Sequence, residues 1–248
     1  MARNEPTRRV GLARAISKLG HCSRSQASEL IRSGRVTLNG ALLRDPEAPV
    51  SGQGSEIKID GRLIEASPRI YLMMNKPRGL VTTASDEKSR ETVYGILNSD
   101  SWLAPVGRLD KASEGLLLFT NDSEWAARIG NPETHLEKTY HVQLGILAQE
   151  QFMRSLVKGV KTVEGELLRA KKVRLLRSGE KNSWLEIILD EGRNRHIRRM
   201  MEAMKIEVLR LIRVAIGPLQ LGDLAKGVSR KLTREEKKML DHAMNRNR

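Results

Sequence analysis

The apolar positions in the first quarter of the chain follow helical spacing and then strand spacing. In VGLARAISKLG the apolar residues recur at helical intervals, and Gly20 supplies a stop. Ser23 with Gln26 three residues later is typical of a capping box, which predicts a second helix ending near Gly34. The Asn-Gly pair of RVTLNGALL predicts a tight hairpin turn, and the alternation of SEIKIDG predicts another strand. A small domain of two helices followed by short strands is therefore expected.

From Ile70 onward, strand-like and helix-like segments interleave. Predicted strands are IYLMMNKP with its continuation RGLVTT, the continuous apolar run LLLF, KTYHVQL, VRLLRS, SWLEIILDEG and VLRLIRVAIGPL. Predicted helices are SEWAARIGNP, AQEQFMRSLVKG, NRHIRRMMEAM and TREEKKMLDHAM. Because the order lacks a regular βαβ rhythm, an α+β fold is expected. The polar segment Gly61–Arg69 is typical of a linker, so residues 1–68 and 69–248 are predicted to form separate domains.

The net charge of the chain indicates what kind of partner it binds. The 248 residues include 44 Lys and Arg against 30 Asp and Glu, a net charge of +14. Such a surplus favours a polyanionic partner, and nucleic acid is the first candidate. A membrane surface is disfavoured because no basic amphipathic helix with bulky apolar anchors is evident. Aromatic residues make up only 3% of the chain, which argues against a broad stacking platform for single strands.

The sequence contains no pattern typical of a membrane span, a secretory signal or a cofactor site. No apolar run approaches the ~20 residues that span a bilayer, and no apolar stretch follows the basic start MARNEPTRRVG. The single cysteine, Cys22, excludes an internal disulfide and fits the cytoplasm. GQGSE lacks a third glycine, no G-K-[ST] occurs, and the five histidines lack metal-ligand spacing. A cytoplasmic protein without cofactor or metal is expected.

Two charged stretches are candidates for chemistry. Asp110, in GRLD, precedes the buried run LLLF, and EGRNRHIRRM places four arginines within seven positions. A half-buried carboxylate is costly unless it is paired, so Asp110 needs a cation. Taken alone, Asp110 could form a structural salt bridge in a turn, and the arginine helix could bind phosphate or only solubilise the protein. A glycoside hydrolase pairing Asp110 with Glu114 is another alternative, although a sugar cleft usually needs more aromatic residues. Glu114 is instead expected to bind the backbone amides of the loop that carries Asp110.

The order of elements in the first domain resembles a known RNA-binding module. Two short helices, the S-R-S-Q entry and IRSGRVTLNG with its hairpin are similar to the module named after ribosomal small-subunit protein S-four, over about residues 8 to 60. An S-four-like RNA-binding domain implies a helical face that lies on structured RNA. The resemblance assigns RNA contacts to Arg14, Arg24, Arg32 and Arg35.

Nearly the whole chain resembles the RsuA/RluB family of ribosomal-RNA pseudouridine synthases. The matching segments, in family order, are NKPRGLVTT, GRLDKASEGLLLFTND, LEKTYHV, LDEGRNRHIRRM and RLIRVAIGPLQL. The resemblance implies that a pseudouridine-synthase domain, with a mixed and mainly antiparallel sheet flanked by helices, follows the S-four-like domain. It also implies a cofactor-free isomerase that converts a specific uridine of ribosomal RNA to pseudouridine.

The resemblance assigns roles to residues that match family motifs. Asp110 would be the catalytic carboxylate, acting as nucleophile or as base, and Arg198 would be its ion partner, holding it through two parallel bonds. Tyr140 would stack on the uracil and help to remove a proton from carbon, while Leu189 packs on the other face of the base. The implied RNA contacts are Arg108, Lys76, Arg193, Arg195 and Arg199, with Arg108 either filling the gap left by the extruded base or holding a flanking phosphate.

The same resemblance bears on the target and on the rival functions. Asn-Arg after E-G-R resembles the large-subunit branch more than the small-subunit branch, so a 23S ribosomal RNA, free or in an assembly intermediate, is the expected partner of a monomeric enzyme. A 16S uridine is the alternative target. A non-catalytic ribosome-assembly factor is the rival class, but it would not need Asp110, Tyr140 and Arg198 together.

Overall fold

The computed structural model describes residues 10–51, 54–84 and 88–246, so the first nine residues of the predicted first domain lie outside the described residues. The chain divides into two compact units. The N-terminal unit contains Met1–Ile70 with the short segments Ser99–Ala104 and Thr120–Ser123. The C-terminal unit contains Tyr71–Asn98, Pro105–Phe119 and Glu124–Arg248.

The N-terminal unit combines two helices with short strands around one apolar core. Its elements are β1 (Val10–Gly11), α1 (Leu12–Lys18), α2 (Arg24–Arg32), β2 (Val36–Leu38), β3 (Ala41–Leu43), β4 (Pro49–Val50), β5 (Ile57–Ile59) and β6 (Arg62–Leu63). The predicted capping box is confirmed, because the Gln26 N–H donates to Ser23 Oγ at 3.1 Å and the Ser23 N–H donates to Gln26 Oε1 at 3.0 Å. The predicted turn joins β2 to β3, with φ of 51° at Asn39 and 82° at Gly40.

Most of the remaining elements belong to the C-terminal unit. The strands are β7 (Tyr71–Lys76), β8 (Ala104–Val106), β9 (Glu114–Thr120), β10 (Lys138–Leu144), β11 (Val160–Lys161), β12 (Leu167–Leu168), β13 (Lys172–Ser178), β14 (Ser183–Leu189), β15 (Val208–Ile216), β16 (Leu219–Gln220) and β17 (Ser229–Lys231). The helices are α3 (Ser123–Gly130), α4 (Glu150–Lys158), α5 (His196–Ala203) and α6 (Arg234–Arg246), with 3-10 turns at Val93–Gly95 and Pro132–Thr134. All the elements predicted from KTYHVQL onward are present.

One sheet, of nine strands within the described residues, organises the C-terminal unit. Its order is β13-β14-β10-β15-β9-β7-β17, with β16 beside β15 and β8 beside β9. The pairs β13–β14, β14–β10, β10–β15 and β7–β17 are antiparallel, whereas β15 and β9 run parallel. The predicted mixed and mainly antiparallel sheet is therefore confirmed.

Two apolar cores lie against this sheet. The first contains Leu156 of α4 and Met200 of α5 together with Leu185 of β14. The second contains Trp125 of α3 and Leu240 of α6 together with residues of β7 and β9. Strand β9 is buried along its whole length, as its run LLLF predicted. These cores fix the strands whose ends carry the candidate site.

The segment RGLVTT does not extend the sheet as predicted. Val81 forms only an isolated bridge, with Thr92. The Thr82 hydroxyl instead donates to the Leu109 carbonyl at 2.8 Å and accepts from the Leu109 N–H at 3.3 Å. The Gly79 N–H likewise donates to the Lys111 carbonyl at 2.8 Å. The residues after β7 therefore form a loop that supports a second loop, residues 107–113, because their hydrogen bonds are directed to it.

Candidate active site

A cavity of about 360 Å³ lies in the C-terminal unit between the ends of β10, β14 and β15, the loop 107–113 and the start of α5. Its lining brings together six of the predicted site residues: Arg108, Asp110, Tyr140, Leu189, Arg193 and Arg195. A larger depression of about 750 Å³, between His135 and His242, contains none of the predicted site residues. The smaller cavity is therefore the candidate active site.

Lys76 anchors the loop that carries Asp110. Its side chain is fully buried, and its ammonium donates to the carbonyls of Pro77, Asp110 and Ser113 at 3.0, 3.2 and 2.9 Å. Burial lowers the pKa of this ammonium to about 8, although Asp110 and Glu114 favour its charged form. The structure corrects the expectation that Lys76 contacts RNA phosphate, because all three ammonium protons already have backbone acceptors.

Asp110 faces two arginines near the start of α5. Its Oδ2 lies 3.7 Å from Arg195 Nη1 and 3.8 Å from Arg198 Nε, which is ion-pair distance but too long for a hydrogen bond. Arg198 Nη2 donates to the Ala112 carbonyl at 2.9 Å, so this guanidinium does not hold Asp110 through two parallel bonds as expected. Burial lowers the pKa of Arg198, while Asp110 opposes that shift. The Asp110 carboxylate is thus held by charge and stays available to a substrate.

Arg195 reaches Asp110 from a strained turn. It is the N-cap of α5 with φ of 49° and ψ of 31°, the left-handed conformation that is uncommon for residues other than glycine. Such strain often accompanies functional sites. The residue was predicted to contact phosphate, and its half-exposed side chain lies between the carboxylate and solvent-accessible grooves.

Tyr140 and Leu189 reach the cavity from neighbouring strands. Tyr140 of β10 stands opposite Arg213 of β15, and Leu189, the last residue of β14, stands opposite Lys138. Leu189 is buried and Tyr140 is partly buried, and both share the cavity lining with Asp110. The fold thus brings together three predicted site residues that are far apart in the sequence.

Two further cations line the cavity and had no role assigned from the sequence. Lys138 comes from β10, and burial lowers its pKa to about 8, with Arg213 adding to that shift and Asp190 opposing it. Arg213 of β15 is 6% exposed, and its Nε donates to the Leu116 carbonyl at 2.7 Å. The signal available in the sequence was the position of Arg213 within an alternating strand, at the same parity as the buried Leu211.

Arg193 and Arg199, which were predicted to contact RNA, bind carboxylates in this structure. Glu166, in the hairpin between β11 and β12, contacts Arg193 Nη1 and Arg199 Nη2 at 2.5 Å each. Glu191 lies 2.8 Å from Arg193 Nε, and Glu164 lies 3.3 Å from Arg199 Nη2. The two hydrogen bonds from the arginines lower the pKa of Glu166. Phosphate binding by these arginines stays a prediction. It requires both to release their carboxylate partners and bind RNA phosphates instead.

A second groove, of about 450 Å³, shares Arg108, Asp110 and Arg195 with the cavity. Its remaining cations are Lys88, Arg90 and Lys111. Arg108 is exposed where the two meet. Basic side chains therefore line an approach along the surface to Asp110, as a polyanionic ligand would require.

Glu114 has a different environment from the one expected. Its carboxylate, 4% exposed, accepts from Arg210 Nε and Nη2 at 3.1 Å each and from Lys226 Nζ at 2.7 Å. It therefore ties β9 to β15 and does not bind the amides of loop 107–113. Because Glu114 is also absent from the cavity lining, the carboxylate pair of a glycoside hydrolase is not formed.

The predicted RNA contacts of the N-terminal unit lie on or next to its two helices. Arg14 of α1 and both Arg24 and Arg32 of α2 are exposed. Arg35 follows α2, and its guanidinium donates to both carboxylate oxygens of Asp60, at 2.9 and 2.5 Å. No helix within the described residues is long and apolar enough to cross a bilayer. Within the same residues, no group of three or more metal-ligating side chains occurs.

Models of two known domain families match two separate segments of the chain. The model described as RNA pseudouridylate synthase matches residues 70–203, which include the loop 107–113, Tyr140 and the start of α5. The chain belongs to the RNA pseudouridylate synthase family. It is therefore an isomerase that acts on uridine in RNA. The S4 domain model matches residues 10–57, as the S-four-like elements predicted.

Individual members of the family are similar over most of their length. Ribosomal large subunit pseudouridine synthase B of Bacillus subtilis is 35% identical over 94% of this chain and 98% of the relative. The enzyme of the same name from Salmonella typhi is 36% identical over 85% of this chain and 74% of the relative. A crystal structure of a pseudouridylate synthase, 31% identical, superposes with a TM-score of 0.65 over 93% of this chain and 99% of the other. The predicted α+β pseudouridine-synthase fold is confirmed.

Proposed function

We propose that this synthase isomerises a specific uridine of large-subunit ribosomal RNA, with Asp110 as its catalytic carboxylate. The observation that carries the proposal is the cavity itself, in which Asp110 meets Tyr140 and Leu189 among five Lys and Arg side chains and no other carboxylate. The large-subunit target is supported by two relatives that are named for it.

The reaction rearranges one nucleotide and needs no external reagent. When the bond between uracil N1 and ribose C1′ breaks, its electron pair stays on the base, which becomes a uracilate anion. Asp110 either bonds to C1′ through a carboxylate oxygen or removes the proton from C2′. After the base turns, C5 bonds to C1′, and the carboxylate departs or returns the proton to C2′. The C5 proton is then lost and N1 gains one, so product and substrate are isomers.

The neighbouring residues divide the remaining tasks. Arg195 and Arg198 supply positive charge beside the Asp110 carboxylate, which offsets the cost of its partial burial. Tyr140 stacks on the uracil and Leu189 packs on its opposite face, so the base keeps its position while detached. Extruding the base costs a few kcal/mol, and the exposed Arg108 fills the gap or binds a flanking phosphate.

Phosphate contacts position the RNA without reading its sequence. In the C-terminal unit the second groove supplies Lys88, Arg90 and Lys111, while Arg193 and Arg199 join once they leave their carboxylates. In the N-terminal unit the contacts are Arg14, Arg24, Arg32 and Arg35. The enzyme acts as a monomer in the cytoplasm, on structured ribosomal RNA that is free or held in an assembly intermediate.

Tritium release from uracil C5 tests this proposal, because the C5 proton is lost in every turnover. Ribosomal RNA labelled at C5 is prepared from cells lacking the protein and offered as 23S RNA, 16S RNA and assembly intermediates. Release from 23S RNA or its intermediates by wild type, and none by Asp110→Ala, is the expected result. Release from 16S RNA alone would move the target to the small subunit. No release despite tight, salt-sensitive binding would favour an assembly factor.

A further inference from the structure

Arg213, which lines the cavity, has one guanidinium nitrogen without a hydrogen-bond partner among the described residues. Its Nε is satisfied by the Leu116 carbonyl, but its buried Nη2 has no hydrogen-bond partner among the described residues. A buried donor without a partner costs about 1–3 kcal/mol, and more when it is charged. Because Arg213 lines the cavity, an acceptor atom of a ligand there would remove that cost once the guanidinium turns toward it. The orphaned nitrogen therefore points to an anion or a carbonyl oxygen as its partner.

Arg213 lies on the same sheet face as Tyr140 and Lys138. Arg213 is the cross-strand neighbour of Tyr140, and Lys138 precedes Tyr140 by two residues on β10, so all three side chains project from one face. Arg213 and Lys138 also line the same cavity. A ring stacked on Tyr140 would therefore have both cations beside its edge.

The cavity lacks an anion for this pair. Asp110, the one carboxylate in the lining, already faces Arg195 and Arg198. Asp190 favours the charged form of Lys138, but burial and Arg213 outweigh it. A buried cation beside a partly buried one is unfavourable unless a negative group enters with the substrate.

We propose that Arg213 and Lys138 bind the carbonyl oxygens of the target uracil and stabilise the uracilate anion that forms when the N1–C1′ bond breaks. This inference rests on the proposed function. Negative charge released onto N1 is shared with O2 and O4, which lie at the ring edge. Both routes open to Asp110 produce the same anion, so the two cations serve either one. Fixed donors aimed at developing charge are a large source of rate enhancement.

The backbone holds Arg213 in place before the substrate arrives. Gly115 of β9 stands opposite Arg213 of β15, with φ of +103°. A Cβ at this glycine would lie 2.3 Å from the Arg213 carbonyl oxygen, so no other residue allows the two strands to approach so closely. The glycine of S-E-G-L-L thereby fixes the strand that presents the arginine.

Single-turnover kinetics distinguish stabilisation of the uracilate from simple RNA binding. The variants Arg213→Gln, Arg213→Lys and Lys138→Gln are compared with Arg177→Gln and Lys172→Gln, which remove exposed charges from β13. Tritium release at saturating RNA is expected to slow about 10²–10³-fold for Arg213→Gln, as when one oxyanion donor is removed. RNA affinity should stay within about threefold of wild type, and both control variants should be unchanged.

A pH profile adds an independent test, because Lys138 loses its charge near pH 8. The wild-type rate should fall above that pH, and Lys138→Arg should keep its rate to higher pH. Lys76 titrates in the same range, so the diagnostic quantity is the difference between wild type and Lys138→Arg. The other charged neighbours of Lys138 are Arg213 and Asp190, and the comparison with Lys138→Arg leaves both in place.

The alternative is that Arg213 and Lys138 bind a phosphate of the extruded nucleotide and not the uracil. In that case the Arg213→Gln and Lys138→Gln variants would bind RNA at least tenfold more weakly, and the salt dependence of binding would correspond to about one charged contact fewer. The rate at saturating RNA would be unchanged, and this result would overturn the proposal. Wild-type activity in Lys138→Gln and in the folded Arg213 variants would also overturn it. If Arg213→Gln fails to fold, the Lys138 variants decide the outcome. Absence of release by wild type would instead reject the proposed function.

Discussion

Asp110 and Arg198 form an ion pair without a hydrogen bond, with Oδ2 and Nε 3.8 Å apart. The buried Arg198 Nε has no hydrogen-bond partner among the described residues, while Nη2 donates to the Ala112 carbonyl in the same loop. The arginine thus fixes loop 107–113 through its backbone and places positive charge beside the carboxylate. The carboxylate oxygens stay available to a substrate.

Asp110→Asn should abolish isomerisation and leave RNA binding intact. The amide keeps the size of the side chain but can neither bond to C1′ as a nucleophile nor remove a proton. We expect the rate of tritium release to fall by about 10⁴-fold or more and the dissociation constant for RNA to change less than about threefold. Asp223→Asn, which neutralises an exposed carboxylate, is the matched control. Appreciable turnover by Asp110→Asn would exclude Asp110 as the catalytic group.

Arg198→Lys should show that geometry as well as charge is required. Lysine preserves the positive charge but loses the planar guanidinium that reaches Asp110 and Ala112 together. We expect the rate to fall by about 10²-fold, because small misplacements of a reacting group cost this much. Arg154→Lys, at an exposed ion pair of α4, should behave as wild type. Full activity of Arg198→Lys would mean that charge alone suffices.

Lys76→Met should lower catalysis through the position of Asp110. Methionine fits the buried site but leaves three carbonyls of Pro77, Asp110 and Ser113 without their donor. We expect tritium release at saturating RNA to slow by about 10-fold or more while RNA affinity is retained. Lys172→Met, which removes an exposed ammonium from β13, serves as the control for rate. Loss of RNA affinity without loss of rate would contradict this positioning role.

The lowered pKa of Lys76 predicts that the protein becomes more stable at alkaline pH. Its pKa is about 8 when folded and about 10.4 when unfolded, so between these values the unfolded chain binds more protons. The free energy of unfolding should therefore increase with pH across this window, by at most about 3 kcal/mol from Lys76. Urea unfolding at pH 7.5 and 10.5 measures the increase, and Lys76→Met should lack this part of it. An equal increase in the variant would assign the effect to other groups, such as Lys138.

Glu166→Gln should strengthen RNA binding. The glutamate carboxylate binds Arg193 and Arg199, which were predicted to contact phosphates, so it competes with the RNA. Because solvent screens these ion pairs and keeps each one weak, we expect the gain to be modest, about three- to tenfold tighter binding at low salt. Glu150→Gln, which breaks the exposed pair with Arg154, controls for the change in net charge. Equal gains in both variants would show a general charge effect and no competition.

Gly115→Ala should destabilise the C-terminal unit. The added methyl carbon would overlap the Arg213 backbone at 2.3 Å, at a φ of +103° that alanine rarely adopts. Overpacking and strain together predict a loss of about 3 kcal/mol or more in the free energy of unfolding. Urea denaturation measures it, with Gly95→Ala as control because a Cβ there meets open space. A loss below about 1 kcal/mol would mean that β9 and β15 can separate at this point.

The sequence by itself determined the elements whose signals are local. The capping box of Ser23 and Gln26 and the turn at Asn39 and Gly40 depend on residues a few positions apart, so local turn chemistry predicted them. Periodicity likewise predicted β10, α4, β13, β14, α5, β15 and α6. The motif around Asp110 was equally readable, because it matched a family pattern. The family and its reaction followed from these local signals.

The tertiary structure decided which charged side chains are buried and what they meet. Lys76 binds a loop more than thirty residues away, Glu166 holds Arg199, and Arg213 reaches the cavity through a close approach to Gly115. Lys76 was expected at the RNA and is instead inside the protein. Such contacts arise from strand pairing and desolvation between distant segments, and a linear pattern of hydrophobic and polar residues contains no record of that pairing.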